Sequence, residues 1–208
     1  MSKLLSMLMK SKGGGIEFKT SIYATGNAYI QTDISANADY KINIVGNVLV
    51  DTYTDQGSHY FFGANNPDQS PSYYLTGTLA FIGYNPNTSI PGIGLRSANN
   101  VAGYNAPYKQ DINIGSSGGH ISAPYHFTLS LSHTVAYDKN FRVLSDWQHA
   151  DRKTNNMISI ELIEIKDQND NLIAELKPAI VNGESGMYDT VTETFYGNAN
   201  SVGSLVCE

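Results

Sequence analysis

The chain has 208 residues, a length typical of one large domain rather than two small ones. Hydrophobic residues make up 41% and charged residues 15% of it, which excludes disorder driven by charge. The net charge is −6 and only three arginines are present, so we expect no nucleic-acid partner. Abundant Asn, with 19 Gly and 14 Tyr, favours short strands joined by frequent turns.

Cysteine content and hydropathy argue against disulfide-rich, zinc-binding and membrane-spanning classes of protein. Cys207 is the only cysteine, so we expect neither a disulfide framework nor a multi-cysteine zinc site. No apolar run approaches the ~20 residues of a transmembrane helix, and no signal-peptide cleavage site follows the first residues. The sequence therefore predicts no membrane partner and a protein kept in the producing cell until something else releases it.

The first 12 residues differ from the rest because they carry three lysines and no acidic residue. At ~100° per residue, their apolar side chains cover one arc of a helix, opposite Lys3 and Lys10. Three glycines at 13–15 then form a hinge. We predict a short amphipathic helix or extended anchor over residues 1–15, the alternative being a frayed initiator segment. The apolar arc that would dock on a partner consists of Leu4, Leu5, Met7, Leu8 and Met9.

From residue 16 to residue 208 the pattern predicts one all-β domain. Its strand candidates are 28–34, 40–50, 59–63, 73–84, 109–114, 126–137, 156–166 and 172–176. Apolar and polar residues alternate along 127–137, as in an antiparallel sandwich with one wet face. Within 156–166 the apolar parity changes, which predicts a bulge or a strand covered on both faces. Residues 167–171 should form a hairpin loop.

Three segments carry a family resemblance. The phrase IEFKTSIYATGNAYIQTDI (16–34) resembles the entry strand of phage-type laminin-G-like, concanavalin A-like domains. HYFFGANN (59–66) looks like the FFGAR strand of the same family, with Asn65 where arginine is often seen. The resemblance implies a concanavalin A-like jelly-roll β-sandwich over 16–208. The chain's closing segment is similar to the family's closing signature at Pro178, Ala179, Gly186, Met187, Tyr188, Asp189, Thr190, Val191, Phe195, Tyr196, Asn198 and Ala199.

The closing segment also has a physical reading of its own. Gly186 and Gly197 suit positions that need positive φ or close backbone approach, and Asp189 and Thr190 can bond their own backbone to fix a turn. Aromatic residues nearby supply packing area. We interpret the segment as a structural clasp that joins the two ends of the sandwich.

Enzymatic and metal chemistry find little support in the sequence. Glycoside hydrolysis needs two carboxylates about 5 to 9 Å apart, and Glu161 and Glu164 have opposite parity, so a regular strand would point them to opposite faces. His126 is expected on a wet face, and His120 and His133 do not converge with it. Residues 167–171 echo a calcium loop but lack its glycine and its glutamate. We expect no enzyme activity, no cofactor and no metal, although calcium at the sandwich rim stays open.

Recognition through surface loops remains, because a sugar site combines an aromatic platform with amides and carboxylates. An alternative is that these residues merely build turns and strand ends. The candidate ligand-binding residues are Asn65, Asn66, Asp68, Tyr73, Tyr74, Tyr104, Asn105, Trp147 and His149.

These patterns, together with the resemblance, predict a non-enzymatic phage virion protein of the tail, collar, fibre or capsid surface. Residues 1–12 would hold it to other virion proteins, and its lectin-like domain would bind host surface glycans. A homo-oligomer set by particle symmetry is expected. Two alternatives stay open: a purely structural spacer or stabiliser that binds no sugar, and a bacterial glycan-binding adhesin module.

Overall fold

The structure, a computed structural model, describes residues 15–35, 40–49, 57–59, 62–65, 74–75, 80–85, 90–95, 125–132, 140–144 and 158–208. Every regular element in these ranges is a β-strand, and every pairing between them is antiparallel. The strands are β1 (Ile16–Phe18), β2 (Ile22–Gly26), β3 (Ile30–Ser35), β4 (Lys41–Val48), β5 (Gly57–His59), β6 (Phe62–Asn65), β7 (Tyr74–Leu75), β8 (Ala80–Asn85), β9 (Ile90–Leu95), β10 (Tyr125–Ser132), β11 (Asn140–Val143), β12 (Ile158–Lys166), β13 (Leu172–Val181), β14 (Glu184–Asp189), β15 (Thr194–Tyr196) and β16 (Gly203–Cys207).

A nine-stranded sheet is built around β4, β12 and β13. Its main path runs β10–β4–β12–β13–β14–β15, while β1 pairs with β13, β2 with β12, and β16 with β2. Along β4, fully buried Ile42 and Ile44 alternate with the half-buried residues Asn43 and Val45. This period of two gives the sheet an apolar inner face and a polar outer face.

A four-stranded sheet, β3–β11–β6–β7, packs into the same core. Ile30, Phe62 and Phe141 from this sheet are fully buried in one cluster with Ile22 and Ile44 from the larger sheet. The rings of Phe62 and Phe141 stack with centroids 4.9 Å apart. The shared core is consistent with a β-sandwich, and the all-β prediction is confirmed.

A buried cation ties β11 to β3. The guanidinium of Arg142 donates from Nε to Oε1 of Gln31 at 2.8 Å and lies 4.5 Å from the ring centroid of Tyr29. The hydroxyl of Thr32 donates to the carbonyl of Phe141 at 2.8 Å. These bonds satisfy polar groups that would otherwise be costly to bury between two sheets.

Two local predictions about β12 and its loop are confirmed. The register between β12 and β4 shifts between Ile160 and Leu162, which is the expected bulge, and three successive residues, 158–160, are buried. The 167–171 loop joins β12 to β13, with the Asp167 carboxylate accepting the amides of Asn169 and Asn171 at 2.8 and 2.9 Å. The side-chain bond from Asn171 is the main factor that lowers the pKa of Asp167.

Other boundaries differ from the prediction. Strand β13 continues to Val181, past the predicted end at residue 176, because Pro178 lies inside an antiparallel ladder with β14. Strand β9, the second strand of the β8–β9 hairpin, was not predicted. Pro91 and two glycines make 90–95 a poor strand candidate. Strand β5 adds to this hairpin to form a three-stranded sheet. The candidate 109–114 and the anchor 1–14 lie outside the described residues.

Candidate functional site

Two groups of side chains in the described ranges concern function. The first is the closing clasp, which we define as residues 184–198, containing β14, a turn and β15. The second is the polar ladder, which we define as the outward-facing residues Asn43, Asn47, His126, Glu161 and Glu164 on β4, β10 and β12.

Asp189 organises the turn of the closing clasp. Its carboxylate is fully buried and accepts the backbone amides of Val191 at 2.9 Å and Glu175 at 3.1 Å. Its second oxygen accepts the hydroxyl of Thr192 at 2.8 Å. The predicted turn-fixing role of Asp189 is therefore confirmed, and Glu175 on β13 shows that the same carboxylate also holds the neighbouring strand.

Thr190 extends this arrangement to a second carboxylate. Its amide donates to the carbonyl of Glu175 at 2.9 Å, and its hydroxyl donates to the Glu175 carboxylate. Burial alone would raise the pKa of Glu175, but the bonds from Thr190 and Lys177 outweigh burial, so the pKa lies below its ordinary value. Thr190 thus bonds across to β13 rather than within its own turn.

The closing clasp also contacts the smaller sheet. The phenol of Tyr196 donates to Asp33 on β3, and Asn198 forms an isolated antiparallel bridge with Ile30. Burial, followed by the bond to Asp33, raises the pKa of Tyr196. The clasp therefore connects the two sheets, as the sequence predicted.

Two glycines of the clasp differ in what surrounds them. A Cβ at Gly186 would lie 2.3 Å from the carbonyl oxygen of Tyr196, a backbone atom that cannot rotate away, so the close backbone approach predicted there is confirmed. A Cβ at Gly197 would meet only the carboxylate end of the Glu184 side chain, so the structure shows no close backbone approach at this position. Neither glycine has positive φ.

The polar ladder corrects one prediction. Oε1 of Glu161 accepts from Asn47 at 2.5 Å, and Oε2 of Glu164 accepts from Asn43 at 3.2 Å. Because Asn43 and Asn47 share one face of β4, both glutamates lie on that same face, not on opposite faces. The bulge between residues 160 and 162 is the cause, since one extra residue inverts the parity of the strand beyond it.

The two asparagines hold the two glutamates at separate points of the ladder. Asn43 and Asn47 are four residues apart, which is about 13 Å along a strand. His126 is exposed, as expected, and its Nε2 lies 3.2 Å from Oε2 of Glu161. The ladder therefore combines amides, carboxylates and an imidazole on one face of the sheet, a surface suited to hydrogen bonding.

Within the described residues, no group of three or more His, Cys, Asp or Glu side chains is arranged to hold a metal ion. The same part of the chain contains no helix long and apolar enough to cross a membrane. Cys207 is half-buried, and burial is the main cause that raises the pKa of its thiol.

The structure places two of the predicted ligand residues. Asn65 on β6 and Tyr74 on β7 are directly opposite each other in the antiparallel ladder, so they close one hairpin whose connecting residues are 66–73. The other candidates fall outside the described residues. They are Asn66, Asp68, Tyr73, Tyr104, Asn105, Trp147 and His149, together with the docking residues Leu4, Leu5, Met7, Leu8 and Met9.

Sequence reasoning missed the asparagines of the polar ladder. Asn43 and Asn47 are four residues apart on a strand with alternating burial, which marks both as outward-facing. Their partners could not be found in this way, because the register that pairs β4 with β12 is a long-range property.

Comparison with protein-family models, with curated proteins and with solved structures finds no match to this chain. The class defined by the structure is therefore the coarse one, an all-β protein of antiparallel sheets consistent with a sandwich. The likeness of its closing clasp to a phage-type signature stays a prediction.

Proposed function

We propose that this chain is a non-enzymatic structural protein of a phage virion, assembled in the host cytoplasm as part of the tail, collar, fibre or capsid surface. Its domain is a concanavalin A-like jelly roll displayed on the particle. Residues 1–12 hold it to other virion proteins, with the apolar arc buried and the three lysines facing acidic groups. Particle symmetry sets the number of copies in each homo-oligomer.

The closing clasp is the observation that carries this proposal. Its sequence resembles the phage-type signature, and three carboxylates in or next to it are engaged within the fold. Asp189 of the clasp holds a turn, while Glu175 on β13 accepts from Thr190 and Asp33 on β3 accepts from Tyr196. A carboxylate committed to such bonds stabilises structure and is poorly placed for acid–base catalysis. This favours a passive, displayed domain over a hydrolase.

Removal of the anchor tests the proposal. A chain lacking residues 2–12 should remain folded, with an unchanged free energy of unfolding, and should disappear from purified particles. A matched control replaces Lys3, Lys10 and Lys12 by glutamine, keeps the apolar arc, and should be incorporated at a reduced level. Incorporation of the truncated chain at the level of the full chain would refute the anchor.

Glycan binding is the recognition activity that fits such a display protein. The pairing of Asn65 with Tyr74 supports it, because it brings an amide-bearing and an aromatic residue to the same point of a hairpin. The full chain should bind host surface glycans on an array, and Tyr74→Ala and Trp147→Ala should each abolish binding. Release of reducing sugar from a bound polysaccharide would contradict the non-enzymatic proposal.

A purely structural spacer is the second candidate function. The polar ladder favours it, because its glutamates are already bonded to asparagines of the neighbouring strand rather than pointing alone into solvent. A spacer would be incorporated through residues 1–12 in the same way. It would show no glycan binding, and Tyr74→Ala would leave host adsorption by the particle unchanged.

A further inference from the structure

Strands β13 and β14 are joined by a turn of only two residues, Asn182 and Gly183. Val181, the last residue of β13, pairs directly with Glu184, the first residue of β14. Asn182 has a φ of 54° and Gly183 a φ of 83°. A two-residue hairpin loop with positive φ at both positions is the type I′ turn, for which Asn-Gly is the preferred sequence. The local sequence therefore accounts for the conformation of the turn.

The turn leaves the polar groups of both its residues open to water. Asn182 and Gly183 are exposed, and a Cβ built on Gly183 would meet no atom within 4 Å. Among the described residues, neither the backbone N–H of Gly183 nor the side chain of Asn182 has a hydrogen-bond partner. The backbone nitrogen of Gly183 also has no neighbouring Cβ that would shield it.

Several other asparagines in the described part of the chain are held by hydrogen bonds. In the whole sequence, Asn182 is the only asparagine that is followed by glycine. The held asparagines donate from their side-chain amides to carboxylates or backbone carbonyls, and each is followed by a residue that carries a Cβ. They are Asn43, Asn47, Asn171, Asn198 and Asn200.

From these observations we propose that Asn182 is a site of spontaneous modification, at which the side-chain amide is lost as ammonia. The backbone nitrogen of Gly183 attacks Cγ of Asn182, the new N–Cγ bond closes a five-membered succinimide ring, and the C–N bond of the side-chain amide breaks. The proton of the Gly183 N–H leaves with the ammonia. Water then adds to one of the two ring carbonyls. Addition at the side-chain carbonyl gives aspartate, and addition at the backbone carbonyl gives isoaspartate.

The strand ladder determines how fast the ring can close. Ring closure joins the Gly183 nitrogen to Cγ of Asn182, so the turn has to leave its type I′ conformation first. Val181 is held on its other side by Ile16, whereas β15 pairs only with later residues of β14 and leaves Glu184 with one ladder partner among the described residues. Opening of this end pair costs less than global unfolding. Modification is therefore slower than in an unfolded chain but does not require the domain to unfold.

The two products affect the hairpin differently. Aspartate fits the turn, because its short polar side chain tolerates positive φ as asparagine does, and it adds one negative charge at an exposed position. Isoaspartate routes the main chain through Cβ and Cγ, which adds one backbone atom to the turn. Because loop length selects the turn type, the type I′ turn and the pairing of Val181 with Glu184 are lost. Isoaspartate therefore releases the first residue of the closing clasp from β13.

Peptide mapping by mass spectrometry tests the site on the folded full chain. After incubation in mildly alkaline buffer, the peptide containing Asn182 should show the mass gain of an amide-to-acid change before a peptide with any other described asparagine does. The matched control is Gly183→Ala, whose Cβ meets open space in the fold but hinders attack on the neighbouring side chain, so it should reduce the product several-fold. Equal conversion in this control would overturn the proposal. So would an unmodified Asn182 after a period in which the urea-unfolded chain converts completely.

Amide hydrogen exchange tests the different effects of the two products. Asn182→Asp supplies the pure aspartyl chain, and the isoaspartyl chain is separated from the incubated protein by chromatography. The amide of Glu184 should exchange at the same rate in the unmodified chain and in Asn182→Asp, and faster in the isoaspartyl chain. Equal rates in all three would contradict the loss of the pairing between Val181 and Glu184. Both measurements use the isolated full chain, so their outcome does not depend on the proposed function.

Discussion

Asp189 is the residue on which the closing clasp depends most directly. It is fully buried and accepts two backbone amides and one hydroxyl. Asp189→Ala leaves these donors without an acceptor in a dry site, so the free energy of unfolding should fall by about 2 to 4 kcal/mol. Urea denaturation followed by circular dichroism measures this change.

Asp170→Asn is the matched control for Asp189→Ala. Asp170 is exposed and forms an ion pair with Lys41, and asparagine tolerates its positive φ of 64°. Surface pairs contribute little, so this substitution should change the free energy of unfolding by less than about 0.5 kcal/mol. Equal effects of the two substitutions would mean that Asp189 does not hold the turn.

The variants Gly186→Ala and Gly183→Ala separate the cost of a steric clash from the cost of a strained backbone conformation. Gly186→Ala places a Cβ 2.3 Å from a backbone oxygen that cannot move freely, and we expect a loss of at least about 3 kcal/mol or failure to fold. Gly183→Ala meets open space but has a φ of +83°, which costs about 1 kcal/mol. Denaturant midpoints of the two variants compare these causes, and a smaller loss for Gly186→Ala would contradict the packing described.

Tyr196 makes stability depend on alkaline pH. Burial and the bond to Asp33 raise its pKa in the folded state, while the phenol of an unfolded chain ionises near pH 10. The stability it contributes is therefore complete below about pH 10 and is lost as pH rises through the folded pKa. Tyr196→Phe should make the fall of unfolding free energy above pH 10 shallower, by up to about 1.4 kcal/mol per pH unit. An unchanged slope would contradict this assignment.

For single residues, the sequence could predict hydrogen bonds between near neighbours in the chain but not those between distant strands. The bond from the Val191 amide to Asp189 spans two residues, so the sequence alone could predict a turn-fixing bond of this kind. The bond from Thr190 reaches Glu175 on another strand, and the sequence could only suggest a local turn. For the same reason Asn65 could be proposed near Tyr74, whereas Asn47 could not be matched with Glu161.

The bulge in β12 is the element that decides the polar ladder. A double-mutant cycle between Asn47→Ala and Glu161→Ala should give a coupling energy of about 0.5 to 1.5 kcal/mol, because the two side chains share a charge-assisted hydrogen bond. The cycle between Asn47→Ala and Glu164→Ala should give a value near zero, since Glu164 bonds to Asn43 instead. A reversed order would mean that the register of β12 differs from the one described.

The bulge also shows what periodicity can establish at the scale of an element. The change in apolar parity within 156–166 located the irregularity. Consecutive residues of a regular strand point to opposite faces, so two consecutive apolar residues cannot both lie on its apolar face. Its consequence for Glu161 and Glu164 was predicted wrongly, because the parity argument assumed a regular strand. Strand β9 was missed for a different reason: a proline and two glycines lower β propensity, while pairing with β8 overrides it.

At the scale of the whole molecule, the sequence could predict an all-β chain but not the order of its strands. Burial alternation and turn residues are local properties of the sequence. Strand β12, by contrast, pairs with β13 near its end and with β2 near its start, and β2 lies more than 100 residues before β12 in the chain. The structural role of the clasp could be predicted because its turn residues and aromatic residues are contiguous, but its strands β14 and β15 were not among the predicted strands. Its contacts with β3 then place the end of the chain against its beginning.

We propose that a passive β-sandwich is carried on a phage particle by its basic first segment. Quantitative mass spectrometry of gradient-purified particles tests this proposal, with the full chain and the chain lacking residues 2–12 expressed at equal levels. The full chain should be present at a fixed whole number of copies that matches a threefold, fivefold or sixfold attachment site, and the shortened chain should be undetectable. A full chain that is absent from the particles, or a shortened chain present in the same number of copies, would contradict the account.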